Sequence, residues 1–176
     1  MNEQQNVQLI QQAYAAYGRG ELDQVLACME DQVEWELPDV PGLPFTGKRH
    51  GCDQVAEFFR TIGEMQAVRE YTPKEFIAQG DKVVVLGHGA WTARDTGLDF
   101  ESDWVHIFTL REGRIAAFRE FLDTNVAVEA FQCYPASAGA RSPGTRRLEA
   151  TLRTRRIDGT KLRFRMMVSR PWKLIP

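Results

Sequence analysis

A chain of 176 residues, 43% of them hydrophobic and 26% charged, fits one soluble globular domain with room for a short appendage. No apolar run is long enough to span a bilayer, and the polar start MNEQQNVQ lacks the basic-then-apolar pattern of a secretory signal. Cys28, Cys52 and Cys133 are odd in number and widely spaced, which argues against a disulfide framework or a zinc site and for reduced thiols in a cytoplasmic protein. The net charge of −2 conceals a split: residues 1–132 hold 11 basic and 22 acidic residues, a net of −11, and residues 133–176 hold 11 and 2, a net of +9. That asymmetry places a boundary near Gln132.

In chain order, apolar residues at helical spacing predict a helix over 6–17, ended by Gly18 and Gly20. A second short helix follows, with Leu22, Val25, Leu26 and Met29 on one face. VEWEL (33–37) alternates like a strand, with Trp35 on one side and Glu34 and Glu36 on the other. Three prolines and three glycines make 38–51 a loop, with Phe45 placed to fold back over an opening. A third helix spans 53–65, with Asp53 as its cap.

Strands then take over. The first covers 70–79, pushed to an edge or a bulge by Pro73. The second, 82–94, contains Gly87 and Gly89 and is expected to bend sharply there. Arg94-Asp95-Thr96-Gly97 turns the chain into 98–110, and Arg111-Glu112-Gly113 turns it into a last strand ending near Asp123. A short helical segment, 124–131, closes the ordered core. The order predicts an α+β fold: a bent sheet with helices on one face. The other face is also apolar and would be buried by a second copy, giving a homodimer. The basic tail, including LRFRMMV (162–168), reads as a disordered extension. Its aromatics are too few to argue for nucleic acid.

The hairpin from Asp103 to Asp123 holds the chemistry. His106, Arg119 and Glu120 interrupt otherwise buried runs, and buried polar groups need partners. Parity groups Trp104, His106 and Phe108 with Phe100 and Ser102, and groups Phe118, Glu120 and Leu122. Arg119, Phe121 and Asp123 fall on the opposite face, with Val105 and Ile107 also outward. Parity alone leaves open whether Glu120 or Asp123 is the pocket acid. A histidine can move a proton near neutral pH, and a carboxylate in an apolar cavity can act as acid or base. Across adjacent antiparallel strands His106 and Glu120 can pair, so that Glu120 orients His106 and His106 handles the proton. A core histidine tied to a carboxylate would leave the same pattern. No metal-ligand spacing, phosphate loop or nucleophile elbow is present.

Residues 15–38 (AAYGRGELDQVLACMEDQVEWELP), 45–59 (FTGKRHGCDQVAEFF) and 104–124 (WVHIFTLREGRI, then FREFLDT) resemble the SnoaL-like branch of the nuclear-transport-factor-two-like superfamily. The resemblance covers residues 1–132. It implies a cone-shaped, curved, mixed sheet packed against three N-terminal helices, and a dimeric, cofactor-free isomerase, cyclase or dehydratase acting on a small hydrophobic, polyketide- or steroid-like molecule. A non-catalytic binding module and an epoxide-hydrolase-like activity are the alternatives. Against ketosteroid isomerase, the general-base position falls on Leu37 and the oxyanion tyrosine on Ala13, with Tyr14 and Tyr17 nearby; the second oxyanion donor falls on His106. Phe118-Arg119-Glu120-Phe121 is similar to a limonene epoxide hydrolase pattern, whose other polar pair falls on His88 and Ala90. The expected catalytic set is therefore His106, Glu120 and Asp123. The expected ligand wall comprises Tyr14, Tyr17, Trp35, Phe58 and His88, together with Trp104, Phe108, Phe118 and Leu122 of the hairpin.

Overall fold

The computed structural model describes residues 2–131. The expected tail at 133–176, with Cys133 and LRFRMMV (162–168), lies outside the described residues. The elements are α1 (Glu3–Gly18), α2 (Leu22–Ala27), β1 (Met29–Glu36), β2 (Lys48–His50), α3 (Cys52–Met65), β3 (Gln66–Gln79), β4 (Lys82–Ala93), β5 (Asp99–Arg111), β6 (Arg114–Leu122) and α4 (Thr124–Phe131). This is the expected α+β order, with one strand more.

The helix starts show what apolar spacing misses. α1 begins at Glu3 rather than Asn6, because Asn2 and Gln5 cap each other reciprocally: each side-chain oxygen accepts the other's backbone N–H at 2.9 Å. Asp53 does not cap α3. The chain enters that helix through Gly51 at φ 83°, and Asp53 lies in the first turn, where its charge suits the helix N-terminus.

The six strands form one curved, unclosed sheet in the order β2-β1-β6-β5-β4-β3. β3 to β6 are the expected antiparallel series. β2 arises inside the segment expected to be loop: three polar residues with no alternation, paired antiparallel to β1 at Glu34↔His50 and Glu36↔Lys48. β1 then lies parallel to β6, with Trp35 opposite Phe118. β3 starts at Gln66 rather than Glu70, and Pro73 sits on this edge strand, where a missing N–H costs least. The register slips beside it, between Pro73 and Glu75.

Gly87 and Gly89 do not interrupt β4, whose pairing with β5 runs unbroken from Lys82↔Thr109 to Thr92↔Asp99. They make room for rings. A Cβ on Gly87 would fall inside the Trp104 indole, and one on Gly89 inside that of Trp91. The β5–β6 turn uses Glu112 at φ 48° and Gly113 at φ 80°, two left-handed residues in succession. That geometry matches the twist of the paired strands, and it places β6 in fixed register on β5.

The helices cover one face, and the core lies between them and the sheet. Ile10, Val33, Val55, Val83 and Val85 are fully buried there; each contributes about 1.5–3 kcal/mol relative to exposure. The opposite face carries Val84, Leu86, Val105 and Ile107, all half-buried. Ile77 at 49% and Phe121 at 46% exposure flank them. Among the described residues no helix is long and apolar enough to cross a membrane.

Candidate functional site

The β5–β6 register sets His106 directly across from Glu120, and strand alternation sends both side chains to the helix-covered face. His106 Nε2 lies 2.9 Å from Glu120 Oε1. From α1, Tyr14 brings its hydroxyl to 2.6 Å from His106 Nδ1. For a neutral imidazole beside an ionised Glu120 the three groups have one consistent assignment. A carboxylate only accepts, so Nε2–H donates to Glu120, and Nδ1 accepts from the Tyr14 hydroxyl. Both ring nitrogens are then engaged within the protein. The His106 side chain is 3% exposed and that of Glu120 12%. Among the described residues no hydrogen bond reaches the second oxygen of Glu120.

These residues border a cavity between sheet and helices, lined otherwise almost wholly by apolar and aromatic groups. Six rings close a girdle around it. Tyr17 meets Phe59 at 5.7 Å between centroids, Phe59 meets Trp35 at 5.6 Å, and Trp35 stacks on Phe118 at 3.8 Å. Phe118 meets His106 at 4.8 Å, His106 meets Tyr71 at 6.2 Å, and Tyr71 returns to Tyr17 at 5.4 Å. Phe45 folds back onto the lining, buried against Phe131 of α4. Glu120 also borders a cleft on the outer side of the sheet, with Glu36, Lys48, Arg119 and Phe121.

Of the residues expected here, Tyr14, Tyr17, Trp35, Phe58, His106, Phe108, Phe118, Glu120 and Leu122 all line the cavity. Three do not. Trp104 lies behind the wall, stacked 5.1 Å from Tyr71 and 4.1 Å from His106. His88 is on the outer face, where Nδ1 is 2.9 Å from Asp103 Oδ1, because it has the opposite parity to the glycines that flank it. Asp123 is exposed; its carboxylate accepts from Asn125 N at 2.9 Å at the start of α4. The alternative that parity left open is thereby closed: the acid at the cavity is Glu120.

Leu37 lines the cavity, and its neighbour Glu36 bonds Arg119 outside at 2.8 Å. The carboxylate of a steroid isomerase therefore has no counterpart at that position. Tyr71 was not legible as a site residue. The register slips on either side of it, at Val68/Glu70 and Pro73/Glu75, break the alternation that would have placed it. The one available signal was a large ring in a mostly polar strand. Among the described residues no group of three or more His, Cys, Asp or Glu is placed to hold a metal.

The family model for the SnoaL-like domain matches residues 10–118. The chain belongs to the SnoaL-like domain family. An NTF2-like protein from Burkholderia xenovorans is 33% identical to it, with a TM-score of 0.69 over 75% of this chain and 99% of that one. TerC, crystallised with polyporic acid, is 30% identical, with a TM-score of 0.64 over 72% and 97%. A protein described as a SnoaL-like polyketide cyclase, from Mesorhizobium loti, is 15% identical, with a TM-score of 0.57 over 65% and 97%, and shares the fold. No curated protein matches the chain. The family match takes in Tyr14, Tyr17, Trp35, Tyr71 and His106, whereas Glu120 lies just beyond its end. Fold and family leave the specific activity open.

Burial, and then the charge of Glu120, hold the Tyr14 phenol well above its ordinary pKa of 10.0, and the same two causes push Tyr17 up to about 12. Tyr71 is also raised, first by burial and then by Tyr14, Glu120 and Tyr17. Unfolded tyrosines ionise near 10, so above that pH the unfolded chain gives up protons that the folded domain keeps. Stability from these three residues should be undiminished below pH 10 and fall as pH rises from 10 towards 12 and beyond. An ultraviolet phenolate titration, with Tyr14→Phe, Tyr17→Phe and Tyr71→Phe difference spectra, should assign all three to ionisation well above pH 10 or with unfolding. Ionisation near 10 in the folded state would contradict this.

Proposed function

We propose that this SnoaL-like domain is a cofactor-free enzyme of the isomerase or cyclase type. It moves a proton on a small hydrophobic molecule, with Glu120 as the acid–base group and His106 as its positioning residue. The observation that carries the reading is the Glu120 carboxylate. One oxygen is fixed by His106 and the other is unengaged, at the wall of a cavity that is largely apolar and aromatic. His106, with both nitrogens engaged and almost no exposure, suits orientation better than the proton-handling role its sequence pattern suggested. The contact of Glu120 with the outer cleft offers a path for its proton to solvent while a ligand fills the cavity. TerC, crystallised with polyporic acid, supports a small organic ligand for this chain. An epoxide-hydrolase arrangement is less well supported, because His88 turns away from Glu120.

Exchange of solvent deuterium into the α-carbon of small aryl ketones tests proton transfer without knowledge of the natural substrate. Followed by NMR, wild type should catalyse exchange for at least one member of a panel. Glu120→Gln should lose about 10²- to 10⁴-fold in rate while still binding the same ketone. His106→Asn should lower the rate constant more than the affinity. Equal exchange by wild type and Glu120→Gln would sink the acid–base role. Binding without exchange in any protein would leave a binding module.

We also infer that the domain is a homodimer through the outer sheet face. The exposure of Ile77 and Phe121 beside half-buried Val84, Leu86, Val105 and Ile107 supports it, since a patch of this kind is costly to leave in water. Sedimentation should find wild type dimeric at micromolar concentration and Phe121→Asp shifted to monomer. A wild-type monomer at every concentration would refute it.

A further inference from the structure

We propose that Tyr17 and Tyr71 form a two-donor subsite for a neutral carbonyl oxygen, so that the cavity takes planar, conjugated ketones. The proposal deepens the functional reading above and rests on its assignment of the cavity as a ligand site. Among the described residues three tyrosines line the cavity, and they are not equivalent. The Tyr14 hydroxyl is tied to His106. Tyr17, from α1, and Tyr71, from β3, sit as an edge-to-face pair 5.4 Å apart between centroids. Among the described residues neither hydroxyl has a partner within the protein, and neither is sealed in the way that the indole nitrogen of Trp35 is. Two phenols with unmet hydrogen-bonding capacity therefore line the same cavity side by side.

The rest of the wall narrows the class. Among the described residues no lysine or arginine lines the cavity, so an ionised carboxylate would find no cation among them and would meet Glu120. Both phenols stay neutral at ordinary pH, which makes them donors to a neutral acceptor. The girdle of Trp35, Phe59 and Phe118 offers flat apolar faces that suit a conjugated ring system. A ketone whose oxygen lies between the two hydroxyls would be fixed at one end of the cavity, with its hydrocarbon body against the aromatic wall.

The test compares 1-tetralone with tetralin, which keeps the ring skeleton and lacks the carbonyl. Binding is followed by NMR titration of wild type, Tyr17→Phe, Tyr71→Phe and the double variant. Each substitution keeps the ring, and backbone amide spectra report that the fold is kept. Each single variant should weaken 1-tetralone binding roughly two- to twelvefold, the range for one neutral hydrogen bond, and leave tetralin unchanged. The infrared carbonyl stretch of bound 1-tetralone should be lowered in wild type and return towards its value in an apolar solvent in the double variant. Wild type that binds both compounds, with no change for 1-tetralone in the variants, would overturn the subsite while leaving the cavity as a ligand site. Failure of both compounds to bind wild type would overturn the ligand-site reading and the subsite with it.

Discussion

An imidazole in a protein core cannot be left with bare nitrogens, and much of this domain follows from meeting that requirement at His106. The residue is almost wholly buried. Its two partners come from opposite sides: Glu120 across the β5–β6 ladder and Tyr14 from α1. Removing either would strand a buried polar atom at a cost of about 1–3 kcal/mol, and more if the stranded group is charged. The chain of three groups thus ties the first helix to the last strand, across more than ninety residues of sequence. It also determines what the cavity presents, because it engages the histidine and leaves one carboxylate oxygen of Glu120 without a partner.

The glycines of β4 serve the same arrangement. With no Cβ at Gly87, the Trp104 indole lies flat over the strand and stacks on His106 at 4.1 Å. Trp104 therefore acts as the floor beneath the imidazole rather than as ligand wall. The parallel β1–β6 pairing performs a comparable task on the other side, bringing Trp35 onto Phe118. The aromatic girdle is assembled from α1, α3 and four strands, so its shape depends on the register of the whole sheet. Ligand contact and fold stability are consequently hard to separate at most of these positions; the hydroxyl groups of Tyr17 and Tyr71 are exceptions, since each can be removed with its ring retained.

Much of this was legible in the sequence, for identifiable reasons. The hairpin parity grouped His106 with Phe108, and Phe118 with Glu120 and Leu122, because β5 and β6 keep their alternation over that stretch; which side of β6 faces the cavity was beyond parity. The α+β order followed from periodicity and turn residues. What could not be read was set by pairing at a distance or by local capping. β2 has three polar residues and exists only because β1 offers an edge. Tyr71 sits between two register slips. His88 looked like a site residue between glycines, yet those glycines belong to the tryptophan rings, and the histidine faces outward to Asp103. Asp123 shares its strand's apolar neighbourhood but ends it, and its carboxylate serves the next helix. The roles within the His106–Glu120 pair were also invisible, since the partner that occupies the second nitrogen lies on a distant helix.

The most direct test is the protonation pattern of the His106 ring, read by nitrogen-15 NMR of histidine-labelled protein, with His106→Asn to assign the signals. The account predicts a single, fixed tautomer of the ring. Nε2 should carry the proton, hydrogen-bonded to Glu120, and Nδ1 should be an acceptor whose signal changes in Tyr14→Phe. Two averaged nitrogen signals, or a ring indifferent to both Tyr14→Phe and Glu120→Gln, would contradict it.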